Sequence, residues 1–330
     1  MTAVTTIPVL DIEPIHGTDT SKKLELAKEF YSAYSTAGFS YIVNHNVPEH
    51  LIEGVFAASE RFHAMAHDRK MAVQLNELHR GFIPINTSTD VNSRLAEVKH
   101  PNQSESFMVM REDNASSPQV LAGDYLAGPN NWPELEGFRL DVMAYNDAMT
   151  ALARKLVGLV ALALDADDEF SRSFDVPTTW LRLLYYPAND INSASQLESE
   201  GIYGSAPHTD FGCLTLLAQD DVGGLQVQAN SGQWIDVPRI PGSFVLNAGD
   251  MLQRWSNNLL KSTPHRVINT SGKVRYSCPF FFDPNVTTDI KPLPSCITAD
   301  NPSVYDTINF RHFLRNELQA GYETHKKINS

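Results

Sequence analysis

From about Trp180 onward the chain is a succession of short β-branched and aromatic runs punctuated by Gly, Pro, Asn and Asp: WLRLLYYP, CLTLLAQ, GLQVQ, QWIDVP, SFVLNAG, HRVINT and RYSCPFFFDP. Closely spaced short strands with no long helix between them indicate an antiparallel sandwich or barrel. The first half reads differently. Residues 22–37 place Leu24, Ala27, Phe30, Tyr31 and Tyr34 at helical spacing, and Gly38 stops that helix. Short strands are expected over 7–12 and 39–43, further helices over 48–66, 132–164 and 304–318, and a turn-rich stretch over 80–131. The expected fold is mainly β with flanking α.

With 330 residues, the chain can bury a sizeable core. Its formal net charge of −13 repels phosphate backbones and anionic lipid, which argues against nucleic-acid or membrane partners. A small anionic substrate remains possible, because a few buried arginines can reverse the potential locally. Cys213, Cys278 and Cys296 form no CxxC pair, which disfavours a disulfide framework or a thiolate zinc site. No basic, apolar leader opens the chain, and no window has the roughly 20 apolar residues of a membrane span. A protein of the reducing cytoplasm is expected.

The chemistry-bearing residues cluster in the strand-rich half. In an extended His208-Thr209-Asp210, positions i and i+2 share a face, so one imidazole and one carboxylate can reach one ion. His265 opens a later strand, and a neighbouring position in the same barrel would bring it to that point. Two imidazoles and a carboxylate on one side of an ion make the facial triad of non-haem iron(II) oxygenases, whose remaining positions admit a co-substrate and dioxygen. The same set also suits zinc in a hydrolase. Arg275 and Ser277 repeat the i, i+2 geometry, converging a planar guanidinium and a hydroxyl in a way that suits a carboxylate. A surface arginine on an edge strand is the plainer reading of that pair.

Residues from about Trp180 to Pro284 resemble the catalytic core of the iron(II)- and 2-oxoglutarate-dependent oxygenase superfamily, in its isopenicillin N synthase-like branch. The resemblance is carried by LRLLYYP at 181–187, HTDFGCLTLLAQDDVGGLQVQ at 208–228, IPGSFVLNAGDMLQRWSNNLLKSTPHRVIN at 240–269 and RYSCPFFFDP at 275–284. IPVLDI at 7–12 and AGFSYIVNHNV at 37–47 resemble the opening region of that branch. The resemblance implies a double-stranded β-helix, or jelly-roll, core over 178–290, a helix-rich amino-terminal domain over 1–177 and a helical segment over 291–330. It implies His208, Asp210 and His265 as iron ligands, with Tyr186, Arg275 and Ser277 binding 2-oxoglutarate. Many plant members carry asparagine where this chain has Leu184.

The implied activity is hydroxylation, desaturation or cyclisation of a small molecule, with iron(II), 2-oxoglutarate and O2, releasing succinate and CO2. Isopenicillin N synthase uses no 2-oxoglutarate, and its Arg-x-Ser pair serves a substrate carboxylate, so an oxidase of that type is the alternative. A non-catalytic binding module and a zinc hydrolase also stand as alternatives. Candidate substrate contacts are Phe82, Ile83, Pro84, Ser106, Phe107 and Phe281, the last sharing a strand face with Arg275 and Ser277. His16, His45 and His63 read as structural or exposed, and Gly223-Gly224 as a turn. The substrate and the oligomeric state are not legible.

Overall fold

Local chemistry sets the amino-terminal elements. In the computed structural model, which describes residues 6–89, 95, 99–191 and 193–322, strand β1 (Val9–Asp11) precedes helix α1 (Thr20–Thr36). The Asp19 side chain accepts from the Ser21 and Lys22 amides, satisfying donors that the helix leaves open. Beyond the helix Gly38 sits at φ +68°, and a Cβ there would lie 2.4 Å from the Lys261 carbonyl oxygen. Both the backbone angle and the close approach require glycine.

Next come β2 (Phe39–Val43), α2 (Glu49–His63), α3 (His67–Met71), β3 (Gly81–Ile83), β4 (Glu105–Met110), α4 (Pro118–Leu121) and the long α5 (Phe138–Leu164). The stretch over 80–131 therefore holds two strands and a short helix; its residues 90–94 and 96–98 lie outside the described residues. Every position of β4 is buried, so the strand shows no polar alternation by which to be read.

After α6 (Asp168–Arg172) the chain runs β5 (Thr178–Tyr186), α7 (Ala194–Glu200), β6 (Ser205–His208), β7 (Leu214–Gln219), β8 (Leu225–Gln228) and β9 (Trp234–Asp236). Then follow β10 (Ser243–Ala248), α8 (Asp250–Trp255), β11 (His265–Val267), β12 (Arg275–Asp283), β13 (Asp289–Ile290), β14 (Ile308–Asn309) and α9 (Phe310–Gly321). The final helix starts six residues later than expected from Val304, because Ile308 and Asn309 pair with Asp289 and Ile290 instead.

Two sheets carry the fold. The larger has the order β1-β2-β10-β7-β12-β5-β4-β3 and is antiparallel apart from the β1–β2 pair; the smaller, antiparallel throughout, has the order β6-β11-β8-β9. This is the expected jelly-roll core with helices against it. Strands β1 to β4 extend both edges of the large sheet, so the amino-terminal part of the chain contributes sheet as well as helix.

Strand alternation separates two hydrophobic cores. Ile42, Leu181, Leu183, Leu216 and Leu246 join the cluster that includes the buried faces of α1, α2 and α5. Their neighbours Tyr41, Leu184, Leu217 and Val245 turn the other way and meet Val227 and Val267 of the small sheet. The space between the sheets is therefore packed at one end, and the functional groups stand around it.

Candidate active site

Antiparallel pairing of β6 with β11 sets His265 directly opposite His208, with ring centroids 4.3 Å apart. Asp210 lies two residues beyond the end of β6, so strand alternation is not what delivers it. A turn does so. The backbone amides of Gly249, Asp250 and Met251 donate to the carbonyl oxygens of Cys213, Asp210 and Gly212 at 2.8–2.9 Å, clamping the turn to the start of α8. A Cβ on Gly249 would lie 2.4 Å from the Gly212 oxygen, so that contact requires glycine. The result places Asp210 Oδ1 3.8 Å from His208 Nε2 and 3.6 Å from His265 Nε2. One ligand atom from each of the three residues lies within 4.8 Å of the others.

Neighbouring groups orient all three. His208 Nδ1 lies 2.7 Å from the Ala206 carbonyl and His265 Nδ1 lies 3.2 Å from the Thr263 carbonyl. A carbonyl only accepts, so each Nδ1 carries the proton and each Nε2 keeps a lone pair for the shared point. Asp210 Oδ2 accepts from Thr215 Oγ1 at 2.6 Å and Asn247 Nδ2 at 2.7 Å, which leaves Oδ1 toward the histidines. Burial pushes the Asp210 carboxyl up, but the charge of the two imidazoles in their protonated form, with these two hydrogen bonds, outweighs it and holds the group below its ordinary range while no metal is bound. Two imidazole nitrogens and one carboxylate oxygen converging on one point fit a divalent transition ion.

Arg275 and Ser277 stand on the face of β12 that looks into the space between the sheets, opposite Tyr186 and Leu184 of β5. Arg275 is fully buried. It donates from Nε to the Gly223 carbonyl at 2.6 Å, from Nη1 to Ser277 Oγ at 3.1 Å and from Nη2 to Gln219 Oε1 at 3.4 Å. Its guanidinium carbon lies 4.6 Å from the centroid of the Tyr186 ring. Every one of these partners is neutral, and among the described residues no carboxylate forms an ion pair with it. Arg80 is buried as deeply but is tied into the fold, donating to three carbonyls with Asp113 and Glu112 nearby; burial brings its guanidinium down to about 10. Gly223 and Gly224, at φ +82° and +92°, form a turn whose carbonyl serves Arg275.

A cavity of about 720 Å³ opens beside His208 and Asp210, bounded also by Trp180, Arg182, Phe281 and Phe313. Of the residues expected to contact substrate, Phe281 lines it. Phe82, Ile83, Pro84, Ser106 and Phe107 do not. Phe82 and Phe107 pack on Phe62, with centroid separations of 5.8 and 4.7 Å. Ile83 is buried in the same core. For Phe107 and its cross-strand partner Phe82 the cause is strand parity: on β4, Ser106 and Met108 share one face while Phe107 and Val109 point to the helices. Ser106 acts one step away, its Oγ accepting from Arg182 Nε at 2.8 Å. His63 is structural, held between Glu105 and the Leu183 carbonyl.

Comparison with known proteins gives this geometry a family. Residues 177–284 match the model of the 2OG-Fe(II) oxygenase superfamily, and residues 7–135 match that of the non-haem dioxygenase in morphine synthesis N-terminal region. The chain is 36% identical to the 2-oxoglutarate-Fe(II) type oxidoreductase hxnY of Emericella nidulans, over 98% of this chain and 94% of that protein. The chain belongs to the 2OG-Fe(II) oxygenase superfamily. It is an oxidoreductase, an iron(II)- and 2-oxoglutarate-dependent dioxygenase. This oxygenase is also 33% identical to a homoarginine-6-hydroxylase of Glycine max, over 91% of this chain and 92% of that one. A full-length Neurospora crassa protein, solved in complex with alpha-KG and thymine, superposes with a TM-score of 0.80 at 31% identity, over 94% of this chain and 96% of that one.

Several site residues escaped the reading of the sequence. Thr215 and Asn247, which hold Asp210 Oδ2, are direct partners across β7 and β10. Gln219 holds Arg275, and Arg182 faces the cavity. Each is a polar residue in a mostly apolar strand, a signal present in CLTLLAQ, SFVLNAG and LRLLYYP.

Proposed function

We propose that His208, Asp210 and His265 hold iron(II), that Arg275 and Ser277 hold the distal carboxylate of 2-oxoglutarate, and that Tyr186 borders the co-substrate. The small-molecule substrate then occupies the cavity beside Phe281. When bound, iron(II) with 2-oxoglutarate and O2 would supply the oxidising chemistry: dioxygen is the oxidant, one of its oxygen atoms going into succinate as CO2 leaves and the other serving oxidation of a substrate C–H bond. The chain's own residues orient the ligand atoms, fix the carboxylate fork and line a pocket that limits water.

The observation that carries the reading is Arg275, a fully buried cation with only neutral partners, on the interior face shared with the triad's sheet. A buried charge is retained at such a place when a ligand completes its pairing. The proposed division at about residues 177 and 290 is supported by the two matched regions. Buried and unbridged Cys213, Cys278 and Cys296 support a reducing, cytoplasmic setting. Among the described residues no helix is long and apolar enough to cross a membrane.

Succinate formation from 2-oxoglutarate with iron(II) and air tests the reading. Succinate is expected from the wild-type protein and none from His208→Ala. Oxygen uptake without succinate would favour the oxidase that uses no 2-oxo acid, and equal turnover by His208→Ala would remove the triad from the account.

A further inference from the structure

We propose that Arg182 anchors a carboxylate of the primary substrate, a small ring-bearing carboxylic acid whose apolar body lies against Trp180 and Phe281. The proposal rests on the oxygenase reading above and specifies which substrate that site takes.

Trp180, Arg182, Leu184 and Tyr186 succeed one another along one face of β5, in steps of roughly 7 Å. Leu184 and Tyr186 stand opposite Ser277 and Arg275, at the co-substrate end; Trp180 stands opposite Phe281, at the cavity end. Arg182 lies between the two ends and lines the cavity together with His208 and Asp210. A substrate group held by Arg182 therefore keeps the rest of the molecule beside the triad and apart from the Arg275 fork.

The guanidinium is positioned by uncharged groups. Nε donates to Ser106 Oγ at 2.8 Å and Nη2 reaches Ser88 Oγ at 3.5 Å, and both serines are buried. Both acceptors are uncharged. Among the described residues no carboxylate pairs with Arg182, and among them it is the sole arginine or lysine lining this cavity. A pre-aimed guanidinium recognises a carboxylate with two parallel charge-assisted bonds. Trp180 meets Phe211 edge-on at 6.1 Å, and Phe211 meets Phe313 at 6.4 Å, giving an aromatic wall suited to a ring.

The test uses the full chain loaded with iron(II) and saturating 2-oxoglutarate under nitrogen. Benzoate, cyclohexanecarboxylate and 2-naphthoate are titrated by calorimetry beside their primary carboxamides. At least one acid is expected to bind about tenfold or more tightly than its amide. Arg182→Met, with its fold checked by circular dichroism, is expected to bring acid and amide within about threefold, and Arg182→Lys to fall between. The proposal is overturned if no probe binds, if wild type binds acids and amides alike, or if Arg182→Met keeps the preference. It is also overturned if acid affinity drops as 2-oxoglutarate is raised, which would place the acids in the co-substrate site. 2-Oxoglutarate binding to the wild type, measured first, separates the two readings. Failure there indicts the proposed function, whereas success there with no preference for acids indicts Arg182 alone.

Discussion

Replacing Arg275 with methionine distinguishes a cation kept for a ligand from one kept for the fold. Burying a cation costs several kcal/mol even after relaxation. Three hydrogen bonds to neutral acceptors offset that by about 1 kcal/mol each, and the Tyr186 ring face by about 1 kcal/mol more. These contributions nearly cancel, so Arg275→Met is expected to change the stability of the ligand-free protein by no more than about 1–2 kcal/mol. The effect of co-substrate is different. At a hundred times its dissociation constant, 2-oxoglutarate stabilises the folded state by about 2.7 kcal/mol. In a chain of this size that raises the midpoint by roughly 5 °C. Thermal unfolding with iron(II) under nitrogen, with and without 2-oxoglutarate, should show this rise in wild type and none in Arg275→Met. Arg80→Met is the control, since Arg80 is tied to three backbone carbonyls and its charge is also stabilised by Asp113 and Glu112, which methionine would leave uncompensated. It should lose about 3 kcal/mol or more without ligand and keep the ligand-dependent rise. If Arg275→Met loses as much as Arg80→Met and 2-oxoglutarate still raises its midpoint, the assignment of Arg275 is wrong.

Thr215→Val removes one of the two donors to Asp210 Oδ2 at nearly constant volume, and is expected to weaken iron(II) about 10–100-fold. Competition against a chromophoric chelator measures it, and an unchanged constant would show that this bond does not orient the carboxylate. Phe107→Ala should destabilise the fold by about 3–5 kcal/mol while leaving 2-oxoglutarate affinity unaltered, because Phe107 faces the helices; denaturant titration and calorimetry together check this. His45 is buried against Phe244 and accepts at Nδ1 from the Val47 amide; burial, aided by His16, holds it down at about 4. The unfolded chain takes up that proton first as pH falls below about 6.5, so about 1–3 kcal/mol of stability present above pH 6.5 should be lost on descending to pH 4. His45→Asn, which retains an acceptor for Val47, should flatten that part of the denaturant-midpoint profile against pH; a profile identical to wild type would contradict it.

Much of the site was legible because its motifs are local. His208 and Asp210 lie two residues apart, Arg275 and Ser277 likewise, and short strands with glycine and proline punctuation marked the jelly roll. The physical reason offered for Asp210 was nonetheless incorrect: a turn clamped to α8 places it, and that clamp depends on Gly249, about forty residues away. Thr215 and Asn247 were visible as polar residues in apolar strands. Their meeting depends on the register between β7 and β10, which residue patterns within either strand do not encode. Of the expected substrate contacts, Phe281 lines the cavity, whereas parity turns Phe82 and Phe107 toward the helices. RGFIP and SESFMVM contribute to strands buried at every position, so no buried–exposed alternation tells which face meets the cavity. Arg182 was the better marker, a cation in the middle of LRLLYYP with no neighbour in sequence to neutralise it.

The most direct measurement is a crystal structure of the chain grown with iron(II) and 2-oxoglutarate under nitrogen. The account predicts one metal ion about 2.0–2.2 Å from His208 Nε2, Asp210 Oδ1 and His265 Nε2, with the distal carboxylate of 2-oxoglutarate on Arg275 and Ser277. Metal bound elsewhere, or a co-substrate carboxylate away from Arg275, would contradict it.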